Sequence, residues 1–287
     1  AAKRGYKQAV IAGIPFKKEN YDSGNISRDT FYPVRFSSQE IPFPVVGMSD
    51  VMPYQSIKYS KMDKAMLKIW KTKFREKIKT ALEDFKPEII FSNHLWLLTS
   101  LVRQEISDLP VIGICHGTGL RQLKKNDKFY EYVKEGCSEL DLIFALNSYQ
   151  KAQICDFFDY PAKKVIVSGS GYSADIFYCN NFSQEKTDGK IKLVYTGKLS
   201  RSKGVISLLR AYDKLDFSKD KIKLILVGGG SGEELAEIKN LSQKIEKDVE
   251  FKGVVSHCKV GEIFRNSDLF CLPSFYEGFP LVILEAL

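Results

Sequence analysis

The chain has 287 residues, 44% of them hydrophobic and 27% charged, a globular composition long enough for two ordinary domains with a core each, which excludes fibrous and disordered classes. Its net charge of +8 calls for an anionic partner, and a nucleotide phosphate, an acidic lipid surface and a nucleic acid all qualify. The six cysteines form no Cys-x-x-Cys pair and no cluster with histidine, so neither a zinc site nor a disulfide framework is indicated and a reducing cytosol fits best. No run approaches the roughly 18 apolar residues that span a bilayer.

Short apolar runs at Gln8 to Ile14, Glu88 to Phe91, Pro110 to Cys115, Leu140 to Leu146 and Lys164 to Val167 read as buried parallel strands separated by helical patterns. The chain opens on Ala1-Ala-Lys-Arg-Gly-Tyr6, which resembles the last turn of a helix and its glycine stop. A first strand and its loop are therefore expected to be missing. The stretch from Gly24 to Tyr59 reads as variable loop. Lys58 to Lys86 reads as one long helix with an apolar stripe through Met62, Met66, Ile69, Trp70, Phe74, Ile78, Leu82 and Phe85. Ten Lys/Arg and four Asp/Glu surround that stripe, giving either a solvated basic face or a contact with anionic membrane.

A polar stretch from Asn180 onward reads as a linker, which sets the expected domains at 1–180, with a linker over 181–190, and 191–287. Strands and helices then alternate: Ile191 to Thr196, a helix from Val205, Ile222 to Val227, a helix from Gly232, Val249 to Phe251, a helix from Lys259, and Leu269 to Leu272. The sequence ends on Glu285-Ala-Leu287, inside a helix that has just begun, so later helices are expected to be missing too.

In open parallel sheets, ligands bind beyond the carboxyl ends of the strands, beside helix N-termini. The loop Gly197-Lys-Leu-Ser-Arg-Ser-Lys-Gly204 places Lys198 and Lys203 there, a pattern suited to a diphosphate. Gly228 and Gly230 end the next strand, where missing side chains let a nucleotide approach the backbone. The sharpest pattern is Glu277-Gly278-Phe279-Pro280-Leu281 followed by Val-Ile-Leu-Glu285. Pro280 suits a first helical position, so the amides of 278–282 face a ligand and the two carboxylates hold its opposite ends. Glu285 lies in an almost wholly apolar turn, where a charge needs a partner.

These motifs resemble the donor-binding domain of the retaining glycosyltransferases of family four, the group 1 enzymes, whose hallmark is two glutamates separated by seven residues. Four motifs occur in order: the 191–204 strand and loop, Leu224-Ile-Leu-Val-Gly-Gly-Gly230, Val249-Glu-Phe-Lys-Gly-Val-Val255, and 266–285. The resemblance implies the GT-B class, α/β with two Rossmann-like domains facing across a cleft. It implies a UDP- or GDP-sugar donor, a glycan or lipid hydroxyl acceptor, retention of configuration, no cofactor and no metal. No Asp-x-Asp pair occurs in the sequence.

By the same resemblance Glu285 holds the ribose, Glu277 the sugar and phosphate, and the backbone of 278–281 the sugar hydroxyls. Lys252 and Val254 frame the base. Lys198 stands where the family usually has arginine and lacks its bidentate fork. His116, after a first-domain strand, faces the donor sugar, while His94 and Gly171 lie on the acceptor side. His257 is read as surface. A nucleotide-sugar epimerase of this fold or a non-catalytic nucleotide-sugar binder would share the lysines and glutamates, but no epimerase acid/base set is identified. No basic patch interleaves with aromatics, so nucleic acid is not expected.

Overall fold

A computed structural model describes residues 4–16, 27–48, 52, 54–179 and 189–287. The opening Ala1 to Lys3, Gly24 and most of the expected linker lie outside the described residues. The chain divides into two compact units, Ala1–Gly169 and Ser170–Leu287.

In the first unit, β1 (Val10–Pro15) pairs in parallel with β2 (Phe31–Phe36), Val10 opposite Phe31. Tyr32, Val34 and Phe36 are buried and alternate with half-exposed neighbours, the two-residue period of a strand with one face on the core. β3 (Val45–Gly47) and β4 (Ser56–Lys58) form a second parallel pair. Three strands thus occupy a region expected to be loop.

Helix α1 spans Lys64–Phe85, not Lys58 to Lys86. Asp63 sets its start, accepting the Met66 amide at 2.8 Å, an N-cap that fixes the first turn. Trp70, Phe74, Ile78 and Ala81 are its buried stripe. The remaining strands β5 (Ile90–Asn93), β6 (Val111–Ile114), β7 (Leu142–Ala145) and β8 (Val165–Val167) form a parallel sheet in chain order. Helices α2 (Leu97–Glu105), α3 (Thr118–Lys125), α4 (Tyr130–Ser138) and α5 (Ser148–Phe158) connect them.

The second unit holds a parallel sheet of β9 (Ile191–Thr196), β10 (Ile222–Val227), β11 (Asp248–Gly253) and β12 (Leu269–Phe270), in the order β11-β10-β9-β12. Its helices are α6 (Val205–Asp213), α7 (Gly232–Ser242), α8 (His257–Arg265) and α9 (Leu281–Ala286). Both sheet faces are covered. Leu193, Tyr195, Leu224 and Leu226 pack with Val205, Leu209 and Ile238, while Val194, Ile225 and Val227 pack with Val260, Ile263 and Phe177. Each such side chain stabilises the fold by about 1.5–3 kcal/mol when fully buried.

Phe177 lies short of the expected boundary at residue 180. It is 5% exposed in the second unit's core, and Arg265 donates to the Ile176 carbonyl at 2.8 Å. A Cβ on Gly261 would lie 2.6 Å from that same carbonyl oxygen, so only glycine lets the 170–179 segment seat on α8.

Candidate donor-binding site

At the carboxyl end of the second unit's sheet, the connections after β9, β11 and β12 line a cavity of about 420 Å³. Gly197, Lys198, Lys203, Glu277, Phe279, Pro280, Leu281 and Glu285, all expected site residues, line it. Tyr195, Thr196, His257, Val260, Leu272 and Val282 complete the lining.

The loop after β9 is fixed by backbone and side chain. Tyr195, fully buried, donates its hydroxyl to the Lys198 carbonyl at 2.8 Å, and the Leu199 amide donates to the Gly229 carbonyl at 2.8 Å. Burial, reinforced by the charge of Glu277, raises the Tyr195 phenol above its ordinary pKa, so it remains a neutral donor. Gly204 has φ of 71° and a Cβ there would stand 2.0 Å from the Pro273 carbonyl oxygen. The Phe275 amide donates to the Ser202 carbonyl at 3.2 Å. The lysine loop and the glutamate loop are thus stitched together.

That stitching places charges in pairs. Lys203 Nζ lies 2.6 Å from Glu277 Oε1, and both side chains are partly shielded from water, which strengthens their attraction over that of a surface pair. Glu285, whose side chain is 12% exposed, has His257 Nε2 at 3.0 Å from its Oε1. Lys198 makes no ion pair among the described residues. His257, read as surface from sequence, is exposed and also borders the cavity. Its signal was positional: it opens a helix at the carboxyl end of β11, as Lys198 follows β9.

Helix α9 begins at Leu281 with Pro280 as its N-cap, one residue later than expected, and Glu285 still falls in the second turn. Gly228 and Gly230 face protein rather than open space. A Cβ on Gly228, whose φ is 132°, would stand 1.9 Å from the Gly197 carbonyl oxygen, and one on Gly230 would stand 2.6 Å from that of Leu199. They allow loop to approach loop, the physical reason for glycine there. Gly278 follows Glu277 directly. Lys252 pairs with Glu250 and Val254 is 82% exposed; neither lines the cavity. Gly171 also lies outside it, with no atom within 4 Å of a Cβ placed on it.

His94 and His116 belong to the first unit, after β5 and β6. Their rings lie 4.8 Å apart. Thr118 Oγ1 is 2.9 Å from His94 Nδ1, and Asn93 Oδ1 is 2.9 Å from His116 Nε2. Burial, with a smaller contribution from His116, holds His94 down to about 4, and burial also lowers His116. Both imidazoles are neutral at pH 7. His94 has φ of 66°, a left-handed conformation uncommon outside glycine.

The matched family model is described as glycosyl transferases group 1 and covers residues 180–287. Alpha-galactosylglucosyldiacylglycerol synthase of Streptococcus pneumoniae is 31% identical over 104 residues, which are 35% of this chain and 27% of that protein. The chain spans between 24% and 39% of the length of the first curated relatives it matches. In fold it is similar to sucrose-phosphate synthase of Thermosynechococcus elongatus, with a TM-score of 0.70 and 18% identity over 99% of this chain and 70% of that one. The Anabaena protein Alr3699/HepE, solved in complex with UDP, has a TM-score of 0.61 and 17% identity over 75% of this chain and 60% of that one. The fold is that of the GT-B glycosyltransferases, and the match over 180–287 supports a group 1 glycosyltransferase.

Proposed function

We propose that the chain carries the donor site of a retaining glycosyltransferase that moves a sugar from a UDP- or GDP-sugar to a hydroxyl of a glycan or lipid, without a metal. The observation that carries this reading is the gathering of Lys198, Lys203, Glu277 and Glu285 on one cavity at the carboxyl end of a parallel sheet. Similarity to a protein solved with UDP supports a uridine donor among the candidates.

Glycosyl transfer builds negative charge on the departing diphosphate as the sugar becomes oxocarbenium-like, so useful groups bind that charge more tightly in the transition state. Lys198 and Lys203 supply positive charge, and Glu277 holds the Lys203 ammonium in place until phosphate shares it. Glu277 then lies beside the sugar, while Glu285 accepts from ribose hydroxyls. The acceptor hydroxyl attacks on the leaving-group side, with a donor phosphate oxygen taking its proton, so no protein nucleophile is required. In the first unit, the neutral His94 and His116 offer hydrogen bonds to a substrate hydroxyl.

A peripheral membrane contact is the second part of the proposal. No helix among the described residues is long and apolar enough to cross a bilayer. Lys64, Lys68, Lys71 and Arg75 line one shallow concavity of α1, of about 320 Å³. Lys71 sits over the Tyr132 ring and Arg75 pairs with Glu105, which leaves Lys64 and Lys68 to present charge to anionic lipid on a cytoplasmic face.

Incubation with a panel of UDP- and GDP-sugars tests the reaction. Slow donor hydrolysis, accelerated by an acceptor, is the expected result; absence of turnover with every donor contradicts an enzyme and leaves a binder.

A further inference from the structure

Glu285 sits on α9, the last helix of the second unit. α9 has six residues and none of them is buried, and Leu281 and Ile283 on it are 43% and 38% exposed. α8, by contrast, is held firmly: Ser256 caps it by accepting the Lys259 amide at 3.3 Å, Val260 and Ile263 are buried against the sheet, and Gly261 is pressed against the Ile176 carbonyl. His257 is the first residue of that anchored helix. The edge-to-face contact of its ring with Phe177, 5.0 Å between centroids at 82°, fixes the imidazole plane.

The one side-chain hydrogen bond to Glu285 among the described residues comes from His257, on Oε1 at 3.0 Å. Oε2 keeps its lone pairs. We infer that His257 is a positioning residue: its Nε2 proton ties Oε1 of Glu285 to the anchored α8 and leaves Oε2 to accept from the vicinal hydroxyls of the donor's ribose. The inference rests on the reading of Glu285 as the ribose carboxylate. Holding the carboxylate in advance removes part of the ordering cost of binding, a benefit felt only by a ligand that uses that carboxylate. His257 touches neither phosphate nor sugar in this scheme. Either neutral His257 with its proton on Nε2 or the imidazolium serves, because both donate from that nitrogen.

The test is calorimetric titration of UDP and GDP, and of their 2′,3′-dideoxy forms, into the wild-type chain, His257→Ala and His257→Gln. Wild type should prefer the ribonucleotide to its dideoxy form. His257→Ala should weaken the ribonucleotide roughly five- to tenfold and the dideoxy form by less than about twofold. His257→Gln, whose amide nitrogen can donate to the same oxygen, should restore ribonucleotide affinity to within about threefold of wild type. Equal losses on the ribo and dideoxy forms, or no loss on either, overturn the inference while leaving the donor cavity standing. Wild-type binding that ignores the ribose hydroxyls removes the role of Glu285 and the inference with it. Wild type that binds neither nucleotide overturns the donor reading itself.

Discussion

The two units place polar groups at the same topological position, beyond the carboxyl ends of parallel strands, but fill it with opposite chemistry. After β5 and β6 stand two imidazoles held neutral by burial and hydrogen-bonded to Asn93 and Thr118. After β9 and β12 stand Lys203 and Glu277 in an ion pair, with Lys198 beside them and Glu285 on His257. Charging one of two neighbouring imidazoles, whose rings lie 4.8 Å apart and tilted by 56°, costs desolvation and like-charge repulsion, so the first unit can offer hydrogen bonds but little charge. The second unit instead gathers two lysines and two glutamates around its cavity. In the proposed function, one unit offers hydrogen bonds to a hydroxyl and the other offers charge to an anion.

The largest effect that would break this comparison concerns the stitching that forms the charged site. Gly204→Ala forces a Cβ to within 2.0 Å of the Pro273 carbonyl oxygen at a φ of 71°, and should cost about 3 kcal/mol or more in denaturant unfolding. Gly171→Ala, where nothing lies within 4 Å, should stay within about 0.5 kcal/mol of wild type. Equal stability of the two variants would contradict the packed arrangement of the loops.

The neutral site answers to pH. His94 titrates at about 4 in the folded chain against 6.5 ordinarily, so between those values the unfolded chain binds a proton that the folded chain refuses. Stability is therefore intact above pH 6.5 and falls as pH drops toward 4, by up to roughly 3 kcal/mol. His94→Gln should flatten that slope in unfolding curves taken from pH 7 to 4. An unchanged slope would assign the acid loss to other groups.

The smallest effect belongs to α1. Replacing Lys64 and Lys68 together by glutamate should reduce flotation with vesicles containing anionic lipid, since each basic residue near such a surface contributes about 1 kcal/mol. Equal partitioning of wild type and variant leaves the row as a solvated face.

Legibility followed burial. Ile191 to Thr196 and Ile222 to Val227 were readable to the residue because both faces of the second sheet are covered, which makes continuous apolar runs. β2 was hidden by Pro33 and Arg35 within it, and β3 by its three-residue length. The apolar stripe drew the start of α1 too early, because Met62 is buried without being helical; Asp63 was the true start signal. In the site, the lysines and glutamates were readable from position relative to strands and glycines. His257 was not, since its partner lies 28 residues away and no local spacing joins them. Gly228 and Gly230 were placed correctly at the turn, but the close neighbours that demand glycine there are carbonyls of the loop after β9.

In the proposed function, the lysine–glutamate cavity of the second unit binds a nucleoside diphosphate through its charges. Calorimetric titration of UDP and GDP into wild type and Lys203→Ala tests it most directly. Loss of a charge-assisted contact worth roughly 1.5–3 kcal/mol should raise Kd more than tenfold. An unchanged Kd in Lys203→Ala would contradict the account.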